Sequence, residues 1–156
     1  MTTVTKGELN RYNVQRNQIK NITEATYTLT GDEANQTVTV NAAAGSALVL
    51  PDATGSGDVF KVILGTTVSS NTTTIKAASA SDVFVGYATL LQDAANTVAA
   101  FETAGTTDTI TFNGTTTGGI AGAKVELQDI GSGAWQVELT SAATGTEATP
   151  FSATVS

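Results

Sequence analysis

A chain of 156 residues is long enough for one domain that buries its own core without disulfide or metal staples. The chain contains no Cys and no His, which excludes disulfides and thiolate nucleophiles and removes the commonest general base and metal ligand. Only 13% of the residues are charged, with a formal net charge of −7, and so uncharged a surface favours close packing against copies or a partner.

Residues 1–24 are polar and rich in Asn and Gln, and we predict an N-terminal arm that orders only on contact. Residues 1–20 carry a net charge of +3, whereas the remainder carries −10, which favours docking of the arm on an acidic surface. Four basic residues are few for nucleic acid, and an acidic body repels phosphate. We also find no secretion signal and no apolar run of the ~20 residues that a membrane span needs.

From Thr26 onward the pattern is that of short β-strands separated by Gly, Asn and Asp turns. The run 59–64 is the most apolar, and we predict a central strand that is buried on both faces. Residues 83–90 form another strand, in which Gly86 is a candidate bend or bulge.

The clearest element is a hairpin over residues 124–139, in which two alternating runs flank a Gly-Ser-Gly loop. One face of the hairpin is apolar and is expected to be buried; its residues are Val125, Leu127, Trp135, Val137 and Leu139. Two registers fit the pattern, one pairing Glu126 with Glu138 and the other pairing Lys124 with Glu138.

About ten short strands therefore predict an all-β fold: an antiparallel β-sandwich, jelly roll or barrel over residues 25–156, with an extended N-terminal arm. No capped apolar helical period is present beyond a turn or two, and the loop lengths vary too much for a strict internal repeat.

Three groups of residues invite a functional interpretation, and each has a simpler structural one. Glu126 and Glu138 have the residue types of a glycosidase pair, but their polar neighbours indicate a solvated face. Asp52 and Asp58 flank a turn and would at most hold a weak surface calcium ion. Trp135 has the type to stack on a sugar, yet its apolar surroundings favour a core position. We predict no enzyme, no cofactor and no metal site.

Several short sequence segments of the chain resemble the small head decoration (capsid cement) proteins of tailed bacteriophages. The resemblance covers roughly residues 45 to 151 and rests on turn-and-strand phrases: LPDATGSGDVF (50–60), DVFVG (82–86), DTITFNG (108–114), AKVELQDI (123–130) and ATGTEATPF (143–151). It implies a β-domain, commonly a homotrimer, that is made in the host cytoplasm, sits on the exterior of the virion and contacts the major capsid protein.

The resemblance brings no catalytic residue to carry over, so the contact residues are a hypothesis from the arm itself. They are the apolar and basic residues Leu9, Arg11, Tyr12, Val14, Arg16, Ile19 and Lys20. Burial of the apolar members would have to offset roughly 1–2 kcal/mol of backbone entropy per ordered residue. The alternative is a phage fibre or receptor-binding module that recognises host-surface glycans. A secreted carbohydrate-binding enzyme domain is disfavoured by the absence of a signal and of His.

Overall fold

The computed structural model describes residues 18–93 and 95–156, which form two β-sheets and no helix. Within these ranges no helix of a length and hydropathy suited to crossing a bilayer is found. The strands are β1 (Ile19–Ile22), β2 (Thr26–Thr28), β3 (Thr37–Val40), β4 (Ala47–Val49), β5 (Val59–Leu64), β6 (Thr73–Lys76), β7 (Val83–Gln92), β8 (Val98–Glu102), β9 (Thr109–Phe112), β10 (Lys124–Gly131), β11 (Ala134–Ala143) and β12 (Phe151–Ser152).

Sheet A has seven strands in the order β1-β3-β5-β10-β11-β7-β8, and sheet B has five in the order β12-β9-β6-β4-β2. The all-β fold is confirmed, and the sheets stay open rather than closing into a barrel. The antiparallel arrangement that we predicted is wrong in part, because five of the ten strand pairs are parallel. The sheets are therefore mixed.

Four of the five parallel pairs arise from the way in which the first six strands wind, and the fifth joins β7 to β11. Among β1 to β6, the odd-numbered strands lie in sheet A and the even-numbered strands in sheet B. The chain thus winds alternately through the two sheets, and strands that follow each other within one sheet run in the same direction. Ile19 pairs with Thr37, and Thr37 in turn pairs with Lys61, so one complete winding from sheet A through sheet B and back takes 18 residues and the next takes 24. Turns of unequal length give no regular repeat in the sequence.

The core lies between the sheets, where alternate residues of the longer central strands are buried, whereas the edge strands β2 and β8 bury none completely. In β5 the buried residues are Phe60, Val62 and Leu64, while the alternate positions are half-exposed. The strand is central, as predicted, but burial on both faces was wrong, since its second face forms the outer surface of sheet A. Phe60 packs edge-on against Trp135, with ring centroids 5.7 Å apart.

The predicted hairpin is confirmed as β10 and β11, and its apolar face is buried. Glu126 lies opposite Glu138, so the first of the two registers is the one adopted. On its other side Glu126 lies opposite Lys61 of β5, which supplies an opposite charge next to the like-charged pair. The register becomes irregular between Asp129 and Gly131, at the end of the hairpin.

The sheet begins earlier than the boundary that we predicted between arm and body. β1 pairs with β3 over its whole length, and Ile22 is fully buried in the core. Residues 19–22 and 26–28 thus belong to the two sheets, whereas residues 1–17 of the predicted arm lie outside the described part of the chain.

Candidate functional site

Two of the predicted contact residues, Ile19 and Lys20, lie in β1. This strand and β2 are edge strands of sheets A and B and form one end of the sandwich. Ile19 points outward with 70% of its surface exposed. Lys20 alternates with it and points inward, between the sheets. The remaining predicted contacts lie outside the described residues: Leu9, Arg11, Tyr12, Val14 and Arg16.

Lys20 is held by its own chain across the end of the sandwich. Its Nζ atom lies 4.7 Å from the centroid of the Tyr27 ring, a cation–π contact that joins β1 to β2. The Tyr27 hydroxyl donates a hydrogen bond of 2.7 Å to Oε1 of Glu33, which is buried. Thr30 donates to Oε2 of Glu33 from both its backbone N–H and its hydroxyl.

These contacts favour the charged form of both ionisable groups. The Tyr27 side chain raises the pKa of Lys20 above its usual value, against a smaller opposing effect of burial, and Glu33 and Glu24 add to the increase. Burial raises the pKa of Glu33, but the hydrogen bonds from Tyr27 and Thr30 outweigh it and lower the pKa overall. At this end of the sandwich Lys20, Tyr27, Thr30 and Glu33 therefore form one connected set of polar contacts.

A second surface, which sequence analysis did not single out, lies on the outer face of sheet A at β7 and β8. Val85, Tyr87, Leu91 and Val98 are each about half-exposed there. Beside them is a shallow depression of about 610 Å³, lined from Val85 to Tyr87 and from Ala100 to Thr103. Inward residues of β7 such as Phe84 and Leu90 are also apolar, so alternation gave no signal for an exposed face.

The turn between β4 and β5 borders a cleft of about 310 Å³ whose lining includes Asp52 and Asp58, the two residues that we considered as at most a weak surface ion site. The cleft also reaches Asp129, but five hydrogen bonds from residues 54–56 already occupy that carboxylate. Among the described residues no group of three or more Asp, Glu, His or Cys side chains is placed to hold a metal ion.

Trp135 also borders this cleft, yet only 1% of its surface is exposed, which confirms the core position. It presents no ring face on which a sugar could stack. Glu126 and Glu138 share the outer face of sheet A, and the depression next to Glu126, of about 250 Å³, is lined otherwise by neutral residues and Lys61.

No known family model matches this chain, and no curated protein is similar to it at a significant level.

Proposed function

We propose that this protein binds the outer surface of a tailed-phage capsid and stabilises the shell as a cement, or decoration, protein. The observation that supports it most is the position of β1, an edge strand at which the basic N-terminal segment joins an acidic body. A segment attached to an edge strand can cross to a neighbouring subunit without disturbing the core. The resemblance of the sequence to decoration proteins points to the same partner, the major capsid protein.

The proposed contact has an apolar part and a basic part. Ile19 supplies apolar surface at the edge of sheet A, and the sequence before it adds the apolar residues Leu9, Tyr12 and Val14. Arg11 and Arg16 meet acidic groups of the capsid, where a charge-assisted hydrogen bond is roughly twice as strong as a neutral one. Lys20 supports this contact indirectly, since its ammonium group rests on Tyr27 and adds to the positive charge at the edge.

Deletion of residues 1–17 tests the proposal, because β1 begins at Ile19 and the sheets keep all their described strands. Co-sedimentation with purified capsids that lack this protein should show loss of binding, while the circular dichroism spectrum stays that of a folded β-domain. The double variant Arg11→Glu, Arg16→Glu should lose most binding too. Lys124→Glu, on the exposed outer face of sheet A, is the matched control and should bind normally. Unchanged capsid occupancy after the deletion would reject the proposal.

The resemblance also favours a homotrimer on the virion exterior. The alternative function, glycan recognition by a fibre module, calls for several exposed aromatic rings on one face. Tyr87, at 48% exposure, is the single strongly exposed aromatic side chain in the described part of the chain. A glycan array separates the two functions, since a cement protein gives no specific signal on it.

A further inference from the structure

The two sheets have four edge strands, and three of them carry a feature that discourages pairing with another chain. At β1 the charged Lys20 points inward, and β2 and β12 are only three and two residues long. Inward-pointing charges and very short edge strands are the usual means by which proteins avoid edge-to-edge association. β8 has neither, for its five residues, Val98–Glu102, include no Lys, Arg or Pro and a single acidic residue at the end.

The backbone of β8 presents a full set of hydrogen-bonding groups at the free edge. The backbone N–H of Gln92 donates to the carbonyl of Thr97, and the backbone N–H of Thr103 donates to the carbonyl of Gly86. These two bonds show which residues of β8 direct their backbone groups toward β7 and which direct them away, because the two kinds alternate along an antiparallel pair. Ala99 and Phe101 therefore direct their N–H and C=O groups to β7, and Val98, Ala100 and Glu102 direct theirs outward. None of these three residues has a backbone partner at that edge within the described ranges.

We propose that β8 pairs antiparallel with β8 of a second copy of this chain, about a two-fold axis at Ala100. In this register Ala100 faces its counterpart, and Val98 faces Glu102 of the second copy, so all three outward-directed residues of both strands form hydrogen-bonded pairs. A shift by two residues in either direction leaves one such residue of each strand without a partner. The register is self-complementary, as a two-fold contact requires.

The side chains favour the same register. No charge faces a like charge, because each Glu102 lies opposite a valine, and the small side chain of Ala100 lets the two strands meet at the axis. Pairing also places the half-exposed Val98 against β8 of the second copy and joins the two apolar outer faces that contain Tyr87. This inference goes beyond capsid binding and does not depend on it. The two-fold contact is an alternative to the homotrimer that the resemblance implies.

The first measurement is the mass of the full chain by sedimentation equilibrium over a range of concentrations. We expect a reversible dimer of twice the 15.8 kDa of one chain. A monomer at every concentration, or a trimer with no dimer, overturns the two-fold contact. A dimer that forms only after deletion of residues 1–17 overturns it as well, since the full chain would then cover its own β8.

Charge exchange at the paired positions tests the register. Val98→Glu places two glutamates opposite each other at both symmetry-related pairs, and we expect the dissociation constant of the dimer to rise roughly tenfold. Adding Glu102→Lys restores opposite charges and should restore the dimer. Gln128→Glu, on the outer face of sheet A away from β8, is the control and should leave the dimer unchanged. A dimer insensitive to Val98→Glu, or one that the double variant fails to restore, overturns the proposal.

Discussion

Ser56 donates two hydrogen bonds to Asp129, one from its backbone N–H at 2.9 Å and one from its hydroxyl at 3.0 Å, across 73 positions of the sequence. The N–H groups of Thr54 and Gly55 converge on the same carboxylate. Three consecutive N–H groups around one anion form a nest, which here ties the turn before β5 to the end of the central hairpin. Burial raises the pKa of Asp129, but these bonds outweigh it and hold the pKa well below its usual range.

Asp129→Asn should therefore destabilise the fold by about 3 kcal/mol, because the side-chain NH₂ group cannot accept the N–H bonds that the carboxylate receives. Urea unfolding at neutral pH measures the loss. Asp52→Asn is the matched control, since Asp52 lies in the same turn with its side chain exposed, and should change stability by less than about 0.5 kcal/mol. Equal effects of the two substitutions would contradict the role of the nest.

Stability should fall as the pH is lowered from about 5 toward 2. Asp129, Asp108 and Glu33 all have a folded pKa below the unfolded one. For such groups the folded state binds fewer protons than the unfolded state, so their contribution is present above the unfolded pKa near 4 and is lost as the pH falls through the folded pKa. Urea midpoints measured from pH 7 to pH 2 check this, and Asp129→Asn should flatten the curve. A midpoint independent of pH over that range would show that these carboxylates do not stabilise the fold.

Tyr27→Phe should cost about 1 kcal/mol, because it removes the hydroxyl that donates to the buried Glu33. The same substitution at Tyr87 is the control, since that side chain is half-exposed on the outer face of sheet A. Tyr27→Phe should also raise the pKa of Glu33, which NMR titration of the glutamate carboxyl carbons would detect. An unshifted titration would mean that Thr30 alone keeps Glu33 ionised.

The hairpin could be predicted from the sequence because local alternation determines both which face is buried and which registers are allowed. The same period places Asp129 on the buried face after Val125 and Leu127, a signal that we did not use. Its partners could not be predicted, because the nest is formed by a turn far away in the sequence. A buried acidic residue in register with apolar ones indicates such a distant set of donors.

Parallel pairing could not be predicted, since a strand such as Thr37–Val40 has the same alternation whether its neighbour is parallel or antiparallel. Whether a pair is parallel or antiparallel depends here on whether consecutive strands lie in the same sheet or in opposite sheets. The sequence of a single strand does not contain that information. β7 shows a second limit, because its outward Val85 and Leu91 are as apolar as its inward Phe84 and Leu90. Sequence alone therefore gave no indication of the surface beside β8.

Gly86→Ala should be strongly destabilising, by more than about 2 kcal/mol. Gly86 was a candidate bulge, but the register of β7 with β11 runs through it without a shift. The actual requirement is space: a Cβ atom at Gly86 would lie 1.9 Å from the carbonyl oxygen of Val137, and its φ of 155° disfavours other residues. Gly105→Ala is the control, because no atom other than those of Gly105 and its two chain neighbours lies within 4 Å of a Cβ placed there. Thermal unfolding compares the two, and similar melting temperatures would contradict the steric argument.

Glu138→Lys should stabilise the protein, an unusual direction for a single substitution. Glu138 is exposed and lies opposite Glu126, and Lys61 on the far side of Glu126 offsets only part of the repulsion. Replacing a like-charged cross-strand pair by an opposite one contributes roughly 0.5 kcal/mol, and the gain should shrink in high salt. Urea unfolding of Glu138→Lys and Glu138→Gln at low and high ionic strength separates the charge effect from loss of the side chain. If Gln and Lys stabilise equally, the repulsion alone matters and no new attraction forms with Glu126.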